Sequence, residues 1–465
     1  MPCCKAEEYD NWCAAEPTVE YEGEEYCIFH APAECPEKQD VEAFNKKVFE
    51  RIDKCKKDGE ECDLRGAIFP GYISFSAYDK DNPLPNITFS QALFCNAVSF
   101  DSVTFGGISE FYDVRFDGYV NFAYAEFKGY VDFGLSIISE SSSFMCAIFS
   151  SFCEFSQTEF CGRIDFLETI FCNICDFGHA IFNGHLDFTN SKFHQLVVFY
   201  AADQLDMSCD HTHFCGPVLF RDIKILSCRF DDCIIDKHIE FERADISRLS
   251  LLRAPIESMR FIDCIWPESK GRKVVYDSRS VQGQGYFPLF NVFGADRFSE
   301  LNKPPEPGRL ADLFRRLKKV ARDGADEPLA SDWHYAEKEM QRLDAKQNKR
   351  PWFALGLWLY KLVSGYGESP SRAGLWLVVL ALLPWLAHEC LDVIMKTLPR
   401  DPLPNVQTLA WLNAAFSTPK EYISASINHD ATGCYLYTLW LRIYQTLLLV
   451  QAGLFGLAVR NKMRR

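Results

Sequence analysis

Five residues near the start of the chain could do metal chemistry: Cys3, Cys4, Cys13, Cys27 and His30. Cys27-Ile-Phe-His30 is a ligand pair with the two-residue gap common in zinc knuckles, and Cys13 with Cys4 or Cys3 completes a Cys3His set. Four such ligands fill a tetrahedron and leave no position for water, so the expected role of the ion is structural. We take Cys4, Cys13, Cys27 and His30 as the predicted set, with Cys3 as the alternative to Cys4, and zinc as the predicted cofactor. Free thiols are the competing reading. Cys35, Cys55 and Cys62 are weaker ligand candidates.

A second group, His211 and His213 with Cys209 and Cys215, lies where the sequence pattern slips. His179, His185, His194 and His238 fall at outward or loop positions. The chain has no phosphate-binding glycine loop and no nucleophile elbow, so no enzymatic activity is expected.

Something must hold these residues in place. Val41 to Lys56 carries Phe44, Val48, Phe49 and Ile52 on one side, the pattern of an amphipathic helix. Beyond it, phenylalanine recurs at every eleventh position in two interleaved series, Phe89 to Phe199 and Phe94 to Phe193, with Ile138 replacing one ring. Steps between successive rings therefore alternate between five and six positions, as from Phe89 to Phe94 and from Phe94 to Phe100. That beat matches neither a helix face nor an alternating strand, and a fixed period signals a repeat architecture. Two places before each ring stands a small or aliphatic residue, such as Val103, Ala125 or Cys153, on the same side of an extended chain. The longer steps often carry glycine, as in Phe116-Asp-Gly-Tyr-Val-Asn-Phe122, which is expected to supply a positive φ at a corner. After Phe199 the register slips, then resumes as Phe214, Phe220, Ile225 and Phe230 in shorter steps. A bulging loop or a new corner type is expected there.

From about Leu64 to Trp266 the pattern resembles the pentapeptide-repeat family. The resemblance implies a mainly β fold, a right-handed, four-sided β-helix with the two ring series on opposing pairs of faces. Coils stacked at sheet spacing rise about 4.8 Å each. The rings would form the core and the helix at 41–56 would cap it, since a β-helix cannot leave its terminal coil as a bare edge.

Charge divides the chain. The net charge is -15, yet residues 301–465 hold 22 Lys/Arg against 15 Asp/Glu, which leaves -22 on the first 300. So acidic a surface argues against direct binding to nucleic-acid phosphate. Two apolar stretches, 373–393 and 435–459, have the length of membrane spans. His388, Glu389 and Asp392 crowd the first, and Arg442 and Gln445 lie inside the second. Lys/Arg clusters flank the pair, at Lys346, Lys349, Arg350 and Arg372 before and Arg460, Lys462, Arg464 and Arg465 after, so both termini are expected in the cytoplasm with the 396–434 loop outside. The polar start shows no signal peptide, and a reducing cytoplasm suits a chain of 20 cysteines. Trp352 to Tyr366 is apolar but short and is expected along the membrane surface.

The predicted divisions are a Cys/His-rich cap at 1–62, the β-helix at 63–266, an irregular linker at 267–308, juxtamembrane helices at 309–366 and a membrane domain at 367–465. Within 309–346 a break is expected near Gly324 to Pro328, with Ser331 or Asp332 capping the next helix. Asp332 to Arg342 and Leu359 to Arg372 resemble the juncture of bacterial membrane-anchored pentapeptide-repeat proteins. That resemblance implies a cytoplasmic rod on a two-helix anchor in the bacterial inner membrane, a scaffold for an unidentified protein partner. Some relatives end instead in a two-helix ion-channel module. The alternative expectation is therefore an oligomeric channel-like or transport protein with Arg442, Gln445 and Gln451 toward a shared pore. Gly365-Tyr-Gly367 precedes the first span and cannot serve as a potassium filter.

Overall fold

A ring and a small residue two places apart point to one side of an extended chain, and the chain closes that side inward. In the computed structural model, which describes residues 3–14, 16, 18–202, 204–279, 305–382 and 431–463, the repeats form a parallel β-solenoid. It has four sides, with ten, six, nine and seven stacked strands. The ten-stranded side runs from Cys62–Asp63 to Met259–Ile262 and marks about nine turns. Register is set coil by coil: Ser109 pairs with Val131, Val131 with Cys153 and Cys153 with Cys175, the same advance at each of these coils. That advance is twice the spacing of either phenylalanine series, so alternate rings of a series stack in one column.

The core is four columns of side chains. Along one column Phe111, Phe133, Phe155 and Phe177 stack at 4.7, 5.1 and 5.0 Å between centroids, within 6° of parallel. Neighbouring columns meet edge to face, as Phe111 meets Phe122 at 5.6 Å and 84°. Both geometries are those aromatic pairs prefer. Some of the small positions are Ser or Thr, fully buried, and their hydroxyls donate to carbonyls of the neighbouring coil: Thr158 to Phe133 at 2.7 Å, Thr169 to Phe144 at 2.8 Å. A buried hydroxyl without such an acceptor would be costly.

The corners differ from expectation. The positive φ angles fall on non-glycine residues at every eleventh position, Gln91, Ser102, Asp113, Tyr124 and Leu135 onward, with φ of 56–61°. Gln91, Ser102, Tyr124 and Leu135 are each the third residue of a turn closed from Ala92 N to Phe89 O, Val103 N to Phe100 O and so on, where a type II turn requires positive φ; at Asp113 the N–H of Val114 donates to Ser136 Oγ instead. Their own N–H groups donate to the next coil, Leu135 to Ser156 O at 3.1 Å, so stacking holds a conformation that single residues seldom adopt. The glycines serve the opposite corners through size. A Cβ on Gly118 would lie 2.4 Å from Ala97 N, and one on Gly184 would lie 2.1 Å from Gly162 O.

The slip after Phe199 is a change of corner, with a β-bulge between Leu205 and Asp206. Strands lengthen, as at Val197–Tyr200 and Val218–Arg221. The coils shorten by one position where Val197 pairs with Val218 and Val218 with Ile239, and by one more where Ile239 pairs with Met259. Cys209 follows Ser208 in register below Phe230 and takes a ring position in the core.

Both ends are closed. Helix α1, Val41–Asp58, lays Phe44, Val48 and Ile52 on the first coil, with Phe44 against Phe69 at 5.8 Å. Asp40 accepts from Ala43 N at its start and Gly59 ends it at φ 71°. At the other end a hairpin, Glu268–Ser269 with Arg272–Lys273, precedes a turn that buries Asp277. Asp277 accepts from Ser250 Oγ at 2.7 Å and Leu251 N at 2.8 Å, so part of the segment predicted irregular seals the last coil.

Residues 306–465 are a separate unit. Its helices are α2 (Pro307–Asp323), α3 (Glu327–Gln347), α4 (Pro351–Ser364), α5 (Pro370–Leu382) and α6 (Ala431–Met463). The break near Gly324 is present, but Asp326 caps α3 by accepting from Leu329 N. Ser331 and Asp332 lie inside the helix, because Pro328 in a first turn starts a helix as readily as it ends one. Glu339 accepts from Lys361 at 2.9 Å, Arg342 at 2.7 Å and Tyr366 at 2.9 Å, tying α3 to α4 and the turn beyond it. Those three donors hold the Glu339 carboxyl down at about 2 against its burial. Among the described residues one stretch, Arg442–Met463 in α6, is long and apolar enough to cross a membrane. The first predicted span is described only as far as Leu382, as a short apolar helix; the remainder and residues 396–430 of the loop lie outside the described residues.

Candidate metal centre

The N-terminal segment folds back on itself in short pieces. Cys3 opens a turn into the 3-10 helix Glu7–Tyr9, and Cys13 follows in the next turn. Strands Thr18–Tyr21 and Glu24–Cys27 pair around Glu22-Gly23, whose φ values of 54° and 88° are those of a tight type I′ hairpin. That hairpin is absent from the expectations above, although Glu22-Gly23 between two short β-prone runs is its signal. Its second strand ends at Cys27, and the chain turns so that His30 N–H points at Cys27 Sγ, 3.4 Å away.

The outcome is one buried cluster. Cys3, Cys13, Cys27 and His30 are each at most 3% exposed, and their four donor atoms lie within 4.8 Å of one another. His30 Nδ1 is 3.6 Å from Cys3 Sγ, 3.3 Å from Cys13 Sγ and 3.2 Å from Cys27 Sγ. Around a tetrahedral zinc with ordinary bond lengths the nitrogen–sulfur edge is about 3.6 Å, so the spacing fits one ion with little adjustment. Of the predicted set, Cys13, Cys27 and His30 come together. Cys4 is exposed and outside the cluster, its backbone N–H on Glu25 O at 2.7 Å, and the neighbouring Cys3 supplies the fourth donor.

The imidazole is oriented for ligation. Its Nε2 lies 2.8 Å from the carbonyl oxygen of Arg65. A carbonyl only accepts, so Nε2 carries the proton and Nδ1 presents its lone pair to the three sulfurs. Tyr9 stacks on the ring at 4.8 Å and Trp12 meets its edge at 5.0 Å. Burial favours the neutral imidazole of His30, and it pushes the thiol of Cys13 up to about 11 and that of Cys27 well up. A metal entering here therefore displaces thiol protons, which couples its affinity to pH.

The surroundings bind the cluster to the solenoid. Arg65, in the first coil, pairs with Asp63 at 2.6 Å and reaches back to Asp10 at 2.7 Å. Arg51 of α1 lies over the Trp12 ring at 4.3 Å and pairs with Glu16 at 2.7 Å. Lys38 is fully buried and donates to the carbonyls of Phe29 and Ile68, at 2.9 and 2.6 Å. No periodicity in the sequence marks it. The cluster has all its protein donors inward and aromatic rings around them, which suits a structural ion and leaves no side for a substrate. Compared with family models, with curated proteins and with solved structures, the chain matches none of them.

Proposed function

We propose that this protein is a membrane-tethered scaffold of the pentapeptide-repeat type, without a reaction of its own. A β-solenoid rod sealed by a structural zinc stands on the cytoplasmic side of a bacterial inner membrane and offers its outer faces to a protein partner. The observation that carries this reading is how side chains are divided between inside and outside. Inward positions hold stacked rings about one coil apart, so variation that touches a partner falls on outward positions of flat, parallel sides.

Support for the tether comes from the second unit. Trp352 and Phe353 of α4, Leu375 and Val378 of α5, and Leu449 and Val450 of α6 are all exposed. Large apolar side chains exposed on three helices suit lipid better than water. The channel alternative asks Arg442, Gln445 and Gln451 to face a shared pore. Gln451 is instead buried and donates to Ala373 O at 2.7 Å, an engagement within one chain that favours the tether.

Fractionation of cells tests the proposal. The full chain should stay with membranes through a high-salt wash, and a chain ending before residue 367 should be soluble with its β signal intact. Release of the full chain by salt would overturn the tether, and ion conduction in planar bilayers would favour the channel.

A further inference from the structure

His213, Cys215 and Asp236 form a second donor cluster, on the outer surface of the solenoid. His213 Nε2 lies 2.9 Å from Asp236 Oδ2 and 3.6 Å from Cys215 Sγ. The backbone fixes this arrangement. His213 and Cys215 flank the inward Phe214, so both point out. Phe214 pairs with Ile235 in the next coil, and Asp236 N donates to Phe214 O at 2.9 Å, which sets Asp236 above Cys215. The sequence pattern groups His213 and Cys215 with His211 and Cys209, but Cys209 is in the core and the third donor comes from one coil on.

We propose that His213, Cys215 and Asp236 bind a borderline divalent cation of the zinc class, at a site distinct from the cap. One imidazole, one thiolate and one carboxylate match that ion's preferences, and all three donor atoms lie within 4.8 Å. Three protein donors leave at least one position open, and the side chains of His213 and Asp236 are 30% and 50% exposed, so water or a donor from a partner completes the shell. With no ion, the Nε2–H of His213 donates to Asp236. Binding replaces that proton with the metal. The imidazole takes a proton at Nδ1 from solvent, and the Cys215 thiol gives one up. Lys192 sits one coil below His213 in register and opposes the cation, so it tunes the affinity downward.

The test uses the full chain in mild detergent, reduced, stripped with a chelator and titrated with Co2+ and then Zn2+. Cys215→Ser and His213→Ala should each bind one equivalent less than the unsubstituted protein. They should also lose the cobalt absorption of a single-thiolate centre, with the far-ultraviolet spectrum unchanged because both side chains point outward. Lys192→Met should tighten that same equivalent. Metal stoichiometry and cobalt spectra equal to those of the unsubstituted protein in both donor variants would overturn the site and leave His213 and Asp236 as a hydrogen-bonded pair. The cap is scored separately by Cys13→Ser, which should remove a different, thiolate-rich spectrum.

Discussion

The Nε2–H of His30 donates to the carbonyl of Arg65, and this bond joins the candidate metal centre to the first coil of the solenoid. The ligand that closes the cap is thereby oriented by the structure that the cap protects. Removing the metal should loosen both. Cys27→Ser should lose one equivalent of zinc by elemental analysis and lower the unfolding temperature of the rod, and Cys4→Ser should do neither. Equal loss of zinc in the two variants would contradict the Cys3 assignment.

Phe133 lies between Phe111 and Phe155, with rings at 4.7 and 5.1 Å. Phe133→Ala should cost roughly 3–5 kcal/mol, because a stack held from above and below collapses poorly into the cavity. Lys128, near Glu126 on the outside, should tolerate Ala within about 0.5 kcal/mol. Chemical denaturation of the two variants checks the inward and outward assignment. Equal midpoints would contradict it.

The corners make opposite demands on glycine. Gly184→Ala should destabilise by about 1–3 kcal/mol, since its Cβ would meet backbone of the coil below. Leu135, exposed and at φ 58°, should accept glycine with a change within about 1 kcal/mol, as relief of the left-handed conformation offsets the lost chain stiffness. A Leu135→Gly chain less stable than Gly184→Ala would reverse the corner assignment.

Lys38 should make stability depend on alkaline pH. Its ammonium is buried against two carbonyls and the Phe44 ring, and burial pulls it down to about 7. In the unfolded chain a lysine holds its proton to about pH 10.4. Between these values the unfolded state binds more protons, so stability rises with pH; below about 7 both states are protonated and the dependence from Lys38 vanishes. Urea midpoints between about pH 6.5 and 9.5 should climb more steeply for the native chain than for Lys38→Met. Parallel slopes would show that Lys38 is not the group responsible.

The recurrence of phenylalanine at every eleventh position determined a stack of repeated coils and its inward positions, because stacked coils repeat one environment and so write it repeatedly into the sequence; the four sides were what the family resemblance implied. The face of α1 was legible for the same reason: a periodic surface leaves a periodic record. What happens once leaves none. Whether Cys3 or Cys4 enters the cluster depends on a turn direction, and adjacent cysteines look alike in sequence. Asp236 joins His213 and Cys215 only because the coils from Lys192 onward on that side are one position shorter than those before Lys192, a change that shows as a slip and not as a contact. The positive φ at Leu135 is held by its N–H bond to Ser156 O in the next coil, so local preference pointed to glycine and the stack decided otherwise.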